Sequence, residues 1–485
     1  MRFLVCVPFK RLSHIGLLLL AAWLSACTHS SPAKTAAAPL LPDSQTAQVG
    51  GALSIPAHCI KPDDIDLSNG EPDDNYYKVK TRWQQLNCRY ADPPSRSLLV
   101  FLDGTANNKK SSTNIWRLYD LALTAADSGS RIVPYYDQGV GNDKLSKVSG
   151  NLFGSGVSLN IRQAYRFLAQ TYRPGDRIYL FGFSRGAFTA RSLNGFIEFA
   201  GLINDQALAK DWGDDLPFWL GLSHLHRATD DLYDIYFSRD TGAARFEPIL
   251  REQLRRFVVD KQLPVRHVQV EAIGVFDTVP AIGLVRDEEP DDHRLALYAR
   301  RGYHAMSLDE QRDDFRLLRF FAPLSKGQTL QEVWFAGVHA DVGGGYGSPA
   351  LSRCPPRPGL PANQQPIGLE ATPLRWMLAN FDDDGIFPAA PWPECLNGRL
   401  HDEFLDSSGI RKRVFRISGL IKRHPVTGDQ VHKSVLCRMH LLIAEPVRHP
   451  EREPDGRYVP ANLGAEPELQ HQFQFLPVSP DYRCP

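Results

Sequence analysis

The sequence predicts an α/β fold in which a mostly parallel sheet is covered by helices. A continuous apolar run at residues 98–102 and mostly apolar runs at 178–181 and 268–276 are typical of strands that are buried on both faces. Stretches with apolar residues at helical spacing separate these runs, and Gly, Pro and Asp residues end them. Strands that alternate with helices in this way favour a sheet of parallel strands.

The elements follow one another in a regular order. After the strand 98–102, Thr113 is the predicted N-cap of a helix. The later elements are expected to be a strand at 131–136, a helix at 161–172, the strand 178–181, a helix at 187–199, and strands at 268–276 and 333–338. A helical insertion at 202–266, with a long helix at 246–259, follows the fourth of these and could cap a site. Its aromatic residues are interpreted as core of the insertion rather than as a lid that touches lipid.

The chain is expected to consist of five segments. They are a leader at 1–26, a tether at 27–57, an N-terminal extension at 58–96, the α/β domain at 97–380, and a C-terminal extension of the same domain at 381–485 with β-like runs such as 414–417. The tether is rich in Ala, Ser, Thr, Pro and Gly and has almost no charge, which is typical of a flexible linker.

The overall composition argues against a nucleic-acid partner. The chain has 485 residues, with 55 basic and 55 acidic side chains, so no broad positive field is available to attract phosphate polyanions. The hydrophobic fraction of 43% is that of a globular protein.

The N-terminus has the pattern of a bacterial export signal. Basic residues at 2, 10 and 11 precede an apolar stretch at 15–24 that is short for a membrane span. The run Leu24-Ser25-Ala26-Cys27 resembles a lipobox, so cleavage before Cys27 and lipid attachment to it are expected. The alternative is an ordinary secretory peptide. Thr28, in place of Asp, favours the outer membrane, with the protein facing the periplasm.

The remaining cysteines are even in number. Six are left once the leader and Cys27 are set aside: Cys59, Cys88, Cys354, Cys395, Cys437 and Cys484. In an oxidising compartment they allow up to three disulfides, and the spacing does not choose among the pairings. Because no Cys/His cluster has zinc spacing, no metal site is expected.

One motif indicates a nucleophile. Gly182-Phe183-Ser184-Arg185-Gly186 follows a predicted buried strand and opens a predicted helix, which is the context that a nucleophile elbow requires. Gly182 and Gly186 leave room for the strained turn at Ser184, and the amides at the helix N-terminus favour an oxyanion nearby. The alternative is a glycine-rich turn with an idle serine.

A serine nucleophile needs a base and an orienting carboxylate. Asp277 and His339 each end a predicted strand and follow Ser184 in the chain order Ser, acid, His that is typical of α/β-hydrolases. His304 is the main rival as base. Asp341 is interpreted as a carboxylate that caps the loop rather than as the acid.

An oxyanion hole is expected from two backbone amides. The loop at Asp103-Gly104-Thr105 follows the first strand and could supply the amide of Thr105, while the second donor would be the amide of Arg185. A plain turn, held by a hydrogen bond of the Asp103 side chain, explains the first loop equally well.

Ordered blocks between residues 97 and 380 resemble a known family. These blocks lie at 102–105, 135–141, 182–187, 275–279, 303–310 and 332–346, and they look like the catalytic domain of type VI secretion lipase effectors and their uncharacterised relatives. The resemblance implies an α/β-hydrolase domain with esterase or phospholipase A activity on glycerophospholipids, without a cofactor, and a triad of Ser184, Asp277 and His339.

The leader departs from this family, because an injected effector needs no lipobox. A resident envelope hydrolase that cleaves lipid esters is therefore expected. The alternatives are a thioesterase or a carboxylesterase of small esters, and a non-catalytic lipoprotein that uses the scaffold to bind a secretion-system protein.

Overall fold

The computed structural model describes part of the chain. The described residues are 74–91, 94–104, 112–139, 152–208, 224–237, 247–280, 296–312, 315–320, 323–346, 354, 356–361, 364–401, 423, 425–440, 458–460 and 473–476. The chain divides into two units, residues 1–54 and 55–485, and every described residue lies in the second. The predicted leader, the tether with Cys27, residue Thr105 and the run 414–417 lie outside the described residues.

The described elements alternate between strand and helix from β1 to the helix that follows β3, as predicted. The strands are β1 (Ser97–Leu102), β2 (Ile132–Asp137), β3 (Arg177–Phe183), β4 (Leu202–Ile203), β5 (Val265–Arg266), β6 (Val270–Phe276), β7 (Arg301–Ser307), β8 (Thr329–Phe335), β9 (Gln430–His432) and β10 (Gln474–Leu476). The helices are α1 (Asp74–Arg89), α2 (Asn114–Asp127), α3 (Leu152–Thr171), α4 (Arg185–Ala200), α5 (His224–Phe237), α6 (Glu247–Asp260), α7 (His339–Gly343), α8 (Ala371–Ala379) and α9 (Lys433–His440).

Eight of the described strands form one sheet, in the order β10-β9-β8-β7-β6-β3-β1-β2. Each neighbouring pair is parallel, which confirms the predicted α/β class. The chain leaves β1 for β2 on one side and then returns to place β3 on the other side. This reversal creates a switch point at the carboxyl ends of β1 and β3, where open α/β sheets bind ligands.

Alternate side chains of β1 enter two different cores. Leu98, Val100 and Leu102 belong to the core under α3, α4 and α5, whereas Leu99 and Phe101 belong to the core under α2 and α8. All six residues of β1 are buried, which explains why the strand is continuously apolar. At ~1.5–3 kcal/mol for each large apolar side chain fully removed from water, this burial is the main force that holds the strand in place.

The predicted insertion after the nucleophile helix is confirmed. The short antiparallel pair β4 and β5 joins Leu202 to Arg266, and helices α5 and α6 lie between these two strands in the chain. Helix α5 packs onto α4, because Tyr233 and Tyr236 lie with their ring centroids 5.4 and 5.2 Å from that of Phe196. The aromatic residues of α5 therefore serve the core. Within the described part of the chain, no helix combines the length and apolar character that a membrane span requires.

One strand was missed by the sequence analysis. The expectation that the strand before His339 is the next one after β6 is wrong, because β7 lies between β6 and β8 both in the chain and in the sheet. The sequence of β7, Arg301-Gly302-Tyr303-His304-Ala305-Met306-Ser307, mixes polar and apolar residues, and so it lacks the continuous apolar run used to find the others.

A disulfide links Cys354 to Cys395. These are two of the six cysteines that the sequence left for pairing, and both are buried. The bond joins the segment that follows α7 to the chain beyond α8.

Candidate active site

Ser184 occupies a strained turn between β3 and α4. Its φ is 60° and its ψ is −127°, a conformation that non-glycine residues adopt rarely, and its side chain forms no capping hydrogen bond with the helix that it opens. A serine at an N-cap ordinarily uses its hydroxyl to cap. Here the hydroxyl does not cap the helix.

The two glycines of the motif permit the close packing of this turn. A Cβ atom on Gly186 would overlap the carbonyl oxygens of Leu102 and Asp103, at the end of β1. A Cβ atom on Gly182 would lie 2.6 Å from the carbonyl oxygen of Gly186. Any other residue would push the first turn of α4 away from the sheet.

Asp277 lies directly beside this turn. The amide of Ser184 donates to the carbonyl of Phe276 over 3.0 Å, so the residue before Asp277 contacts the nucleophile candidate. Asp277 itself has a φ of 42° and is one of four non-glycine residues with positive φ in the described chain, together with Ser184. Strain of this kind is concentrated where side chains are held for function.

His339 and Asp277 form a buried hydrogen-bonded pair. Nδ1 of His339 lies 2.6 Å from Oδ2 of Asp277, and neither side chain is more than 6% exposed. His339 follows β8 by three residues and begins α7, rather than ending the strand as predicted. The hydrogen bond to Asp277 leaves Nε2 as the nitrogen available to accept a proton.

Aromatic rings enclose the His339 imidazole. Its ring centroid lies 4.6 Å from that of Phe183, the residue before Ser184, and 4.8 Å from that of Phe315. Burial lowers the pKa of His339 and outweighs the opposing effect of the Asp277 carboxylate. The imidazole is therefore neutral at pH 7, as a general base must be.

A charged pair lies on the other side of the imidazole. Glu310 accepts from the backbone amide of His339 over 3.3 Å and from the guanidinium of Arg312 over 2.7 Å. Arg312 in turn lies over the ring of Phe315, 3.7 Å from its centroid. The paired guanidinium lowers the pKa of Glu310 to about 2 despite burial, so this carboxylate is ionised at neutral pH.

Arg423 reaches Asp277 from the C-terminal part of the chain. Its guanidinium contacts both carboxylate oxygens, and its Nη2 lies 3.0 Å from Oδ2. The sequence analysis missed this residue, because Arg423 belongs to no motif and is 146 residues from Asp277. Only the folded chain brings them together.

His304, the other candidate for the base, is bonded to residues other than Asp277. It is fully buried in β7, accepts from the amide of Thr278 through Nε2 over 3.2 Å, and bonds to Glu332 through Nδ1 over 3.0 Å. Both ring nitrogens are thus engaged, and the ring supports the turn that follows Asp277. This arrangement favours His339 over His304 as the base.

Asp341 caps the turn that carries His339. Its Oδ2 accepts from the amide of Val338 over 3.0 Å, which agrees with its interpretation as a capping carboxylate. Its Oδ1 also pairs with Nδ1 of His401 over 2.6 Å, a contact that the sequence did not predict.

The loop after β1 is held by the Asp103 carboxylate. Oδ1 accepts from the amide of Gly104 over 2.7 Å, and Oδ2 accepts from the hydroxyls of Thr113 and Tyr136. Burial raises the pKa of Asp103 to about 6. The turn interpretation thus accounts for Asp103. The predicted amide donor in this loop, Thr105, lies outside the described residues, whereas Arg185 is the first residue of α4.

Metal-binding groups are not assembled in the described residues. No group of three or more His, Cys, Asp and Glu side chains there has a geometry that could hold a metal ion.

Comparisons with known proteins give a family and several distant relatives. A family model described as the catalytic domain of Tle1-like phospholipase effectors of the type VI secretion system matches residues 96–380, more than half of the chain. An uncharacterized protein of Saccharomyces cerevisiae is 30% identical over 256 residues, which make up 49% of this chain and 34% of that protein. The match spans only about a third of that relative.

Two solved structures are similar at a lower level. An uncharacterized protein from Pseudomonas aeruginosa is 16% identical with a TM-score of 0.33, and the match covers 72% of this chain and 56% of that one. The Tle1 effector bound to the VgrG spike of the type VI secretion system is 18% identical with a TM-score of 0.28, and the match covers 54% and 56% of the two chains.

Proposed function

We propose, from the premise that this chain belongs to the family of Tle1-like phospholipase effector catalytic domains, that it cleaves carboxylic esters of lipids by a serine mechanism. The observation that carries the proposal is the buried Asp277–His339 hydrogen bond beside the strained turn of Ser184. Family membership supports a lipid ester as the substrate class, and the residues support the mechanism.

In the proposed reaction, the Ser184 hydroxyl attacks the ester carbonyl while Nε2 of His339 takes its proton. Asp277 accepts a hydrogen bond from Nδ1–H of His339, which keeps this proton, and the carboxylate thereby orients the ring and stabilises the imidazolium that forms. His339 then protonates the leaving alcohol, and a water molecule activated by the same imidazole releases the acyl group.

The negative oxygen of the tetrahedral intermediate needs donors. The N-terminus of α4 lies at Ser184, and its first amide, that of Arg185, is the donor that we propose together with the amide of Thr105. No cofactor takes part in this scheme.

The first experiment replaces the nucleophile. Ser184→Ala is expected to lower ester hydrolysis by about three or more orders of magnitude and to abolish labelling by a fluorophosphonate probe, because the substitution removes the hydroxyl on which the proposed acyl-enzyme forms. The measurement is hydrolysis of phospholipid vesicles and of short nitrophenyl esters by the purified protein.

Ser192→Ala is the matched control. Ser192 is a buried serine of the helix that Ser184 opens, two turns further on, and its hydroxyl has no hydrogen-bond partner among the described residues. This variant is expected to keep its activity and its labelling. If Ser184→Ala keeps most of the wild-type rate, the serine mechanism is wrong.

The substrate panel separates the remaining alternatives. Preference for short esters or thioesters over vesicles would favour a carboxylesterase or a thioesterase. Folded wild-type protein that is not labelled at all would favour a binding scaffold for a secretion-system protein.

We also propose that the protein acts in the bacterial envelope, held by a lipid on Cys27 and facing the periplasm. The support is the sequence pattern of residues 1–27, in which an apolar stretch ends in the lipobox-like run. An enzyme attached in this way would stay at the membrane surface. Its lipid substrates lie in that surface, so the enzyme would not have to diffuse far to reach them.

A further inference from the structure

The carboxylate of Asp277 is shared between two cationic or potentially cationic partners. Arg423 faces both of its oxygens, and His339 bonds to Oδ2 alone. The backbone amide of Ser307 donates to Oδ1 over 2.7 Å. Each oxygen therefore has two donors, and the plane of the carboxylate is fixed.

Arg423 is itself held from several directions. Its Nη1 donates to the carbonyl and hydroxyl oxygens of Ser307 over 2.9 and 2.7 Å, and its Nη2 donates to the carbonyl of Phe315 over 2.8 Å. Only 6% of the residue is exposed. A guanidinium is suited to this task because its fork of donors matches a carboxylate and nearby carbonyls at once.

The segment that carries Arg423 is joined to the sheet. Six residues further on, Asp429 accepts from the indole of Trp334 over 3.0 Å and from Arg319 over 2.9 Å. Strand β9 then pairs with β8 at Val333 and Trp334. These contacts hold the segment beside β8, the strand that leads to His339.

Resting on the proposed function, we propose that Arg423 is a positioning residue of the active site. Arg423 fixes the orientation of the Asp277 carboxylate and balances its negative charge. The carboxylate can then orient the His339 imidazole, while the imidazole stays neutral in the resting enzyme. Residue 423 lies beyond the family match at 96–380, so the C-terminal part of the chain completes the site.

The charge balance explains this role. With Arg423 present, the carboxylate, the guanidinium and a neutral imidazole sum to zero, and protonation of His339 creates a net buried charge. Without Arg423, the pair of Asp277 and neutral His339 carries an uncompensated negative charge, and a proton removes it. Loss of Arg423 must therefore raise the pH at which the Asp277–His339 pair takes up a proton.

Other charged groups surround the pair and stay in place when Arg423 is changed. His304 lies behind Thr278, while Glu310 and Arg312 lie beside His339. Glu310 and Arg312 neutralise each other through their hydrogen bonds, and His304 is paired with Glu332. Burial raises the pKa of Asp277, whereas the positive charge of Arg423 lowers it. The charge of Arg423 is the largest of the influences that lower this pKa, and the net pKa lies below the usual value for aspartate.

The test is the pH dependence of the Ser184 labelling rate and of ester hydrolysis in Arg423→Gln. We expect the acid limb of both profiles to move up by about one to three pH units, the size of shift that one nearby opposite charge produces. At neutral pH kcat should fall by at least tenfold while KM changes little. The downfield proton resonance of the His339–Asp277 hydrogen bond should change with the same pH dependence.

Arg96→Gln is the matched control. Arg96 is also buried and contacts both oxygens of an aspartate, Asp176, with Nη2 2.6 Å from Oδ2, but it lies at the opposite edge of the sheet, at the start of β1. This variant should lose stability without a change in the pH profile. Arg423→Lys keeps the charge and loses the fork, so it should keep the wild-type acid limb and lower kcat.

The outcomes distinguish this inference from the proposed function. If wild-type Ser184 is labelled but Arg423→Gln shows the wild-type pH profile, the positioning role is wrong. If Arg423→Gln does not fold, Arg423→Lys provides the test, and a wild-type kcat in that variant would contradict the positioning role of Arg423. Absence of labelling in the wild type would instead contradict the serine mechanism.

Discussion

Single residues at the carboxyl edge of the sheet are held in conformations and charge states that cost free energy. Ser184 and Asp277 both have positive φ, and residues in sparsely populated backbone regions cost ~1–3 kcal/mol each. Asp277 and His339 are buried, and a buried carboxylate is tolerated only when it is paired. The pairing partners, Arg423 and the imidazole, are therefore part of the local structure as much as of the chemistry.

The pH dependence of the wild-type enzyme tests the state of His339. Burial lowers the pKa of His339, so the neutral base is the main form at and above pH 6.5. The rate is expected to be on a plateau near pH 8 and to fall to half of that plateau only below pH 6.5, the ordinary histidine pKa. The measurement is kcat/KM for a neutral ester over this range. An inflection above pH 6.5 would contradict this assignment.

At the scale of elements, Ser184, Asp277 and His339 each lie shortly after the carboxyl end of a strand. The loops after β1, β3, β6 and β8 lie at one edge because the strands are parallel, and the side chains at these ends bind the loops to one another. Thr113 is the clearest example. Its hydroxyl caps α2 by accepting from the amide of Trp116 and donates to Asp103, and its backbone bridges to Gly344 beyond His339.

Thr113→Ala is expected to lower the free energy of unfolding by ~1–2 kcal/mol, the cost of losing a helix cap, with a further loss because Asp103 loses a donor. The measurement is the urea midpoint. Thr124→Ala is the control, because Thr124 is exposed on the same helix and its hydroxyl donates to a carbonyl of that helix, that of Asp120. It should change stability by less than about 0.5 kcal/mol. Equal effects of the two substitutions would contradict the capping role.

At the scale of the whole molecule, the site depends on chain far beyond the nucleophile motif. In chain order, the first strand of the eight-stranded sheet is β1 and the last is β10. Its last two described strands, β9 and β10, come from residues after 429. Arg423 and His401, which both lie beyond residue 380, contact Asp277 and Asp341 respectively. The disulfide from Cys354 to Cys395 constrains the chain between α7 and the region that follows α8.

The proposed attachment to a membrane is also a property of the whole molecule. Cys27→Ser is expected to remove lipid incorporation and to shift the protein from the membrane fraction to the soluble periplasmic fraction, because the thiol is the acylated group. The measurement is metabolic labelling with a fatty acid, together with fractionation of the producing cells. Cys88→Ser, which changes a buried cysteine of the folded part, is the control and should keep the lipid. Membrane recovery of the Cys27→Ser variant would contradict the anchor.

Local sequence determined most of the elements and the candidates for the site. The strand before Ser184 and the cap at Thr113 were both predicted correctly, because apolar runs, helical periodicity and capping residues act over a few positions. The candidates Ser184, Asp277 and His339 were found in the same way, from their places after predicted strands.

Only the tertiary structure decided which of these residues meet. It placed His339 against Asp277, engaged both nitrogens of His304 elsewhere, inserted β7 between β6 and β8, and brought Arg423 to the acid. Contacts between residues tens or hundreds of positions apart depend on how the elements pack, and no local pattern records them. For this protein the chain itself specified the strands, the turn and the nucleophile candidate, whereas packing specified the partners and the charge balance around them.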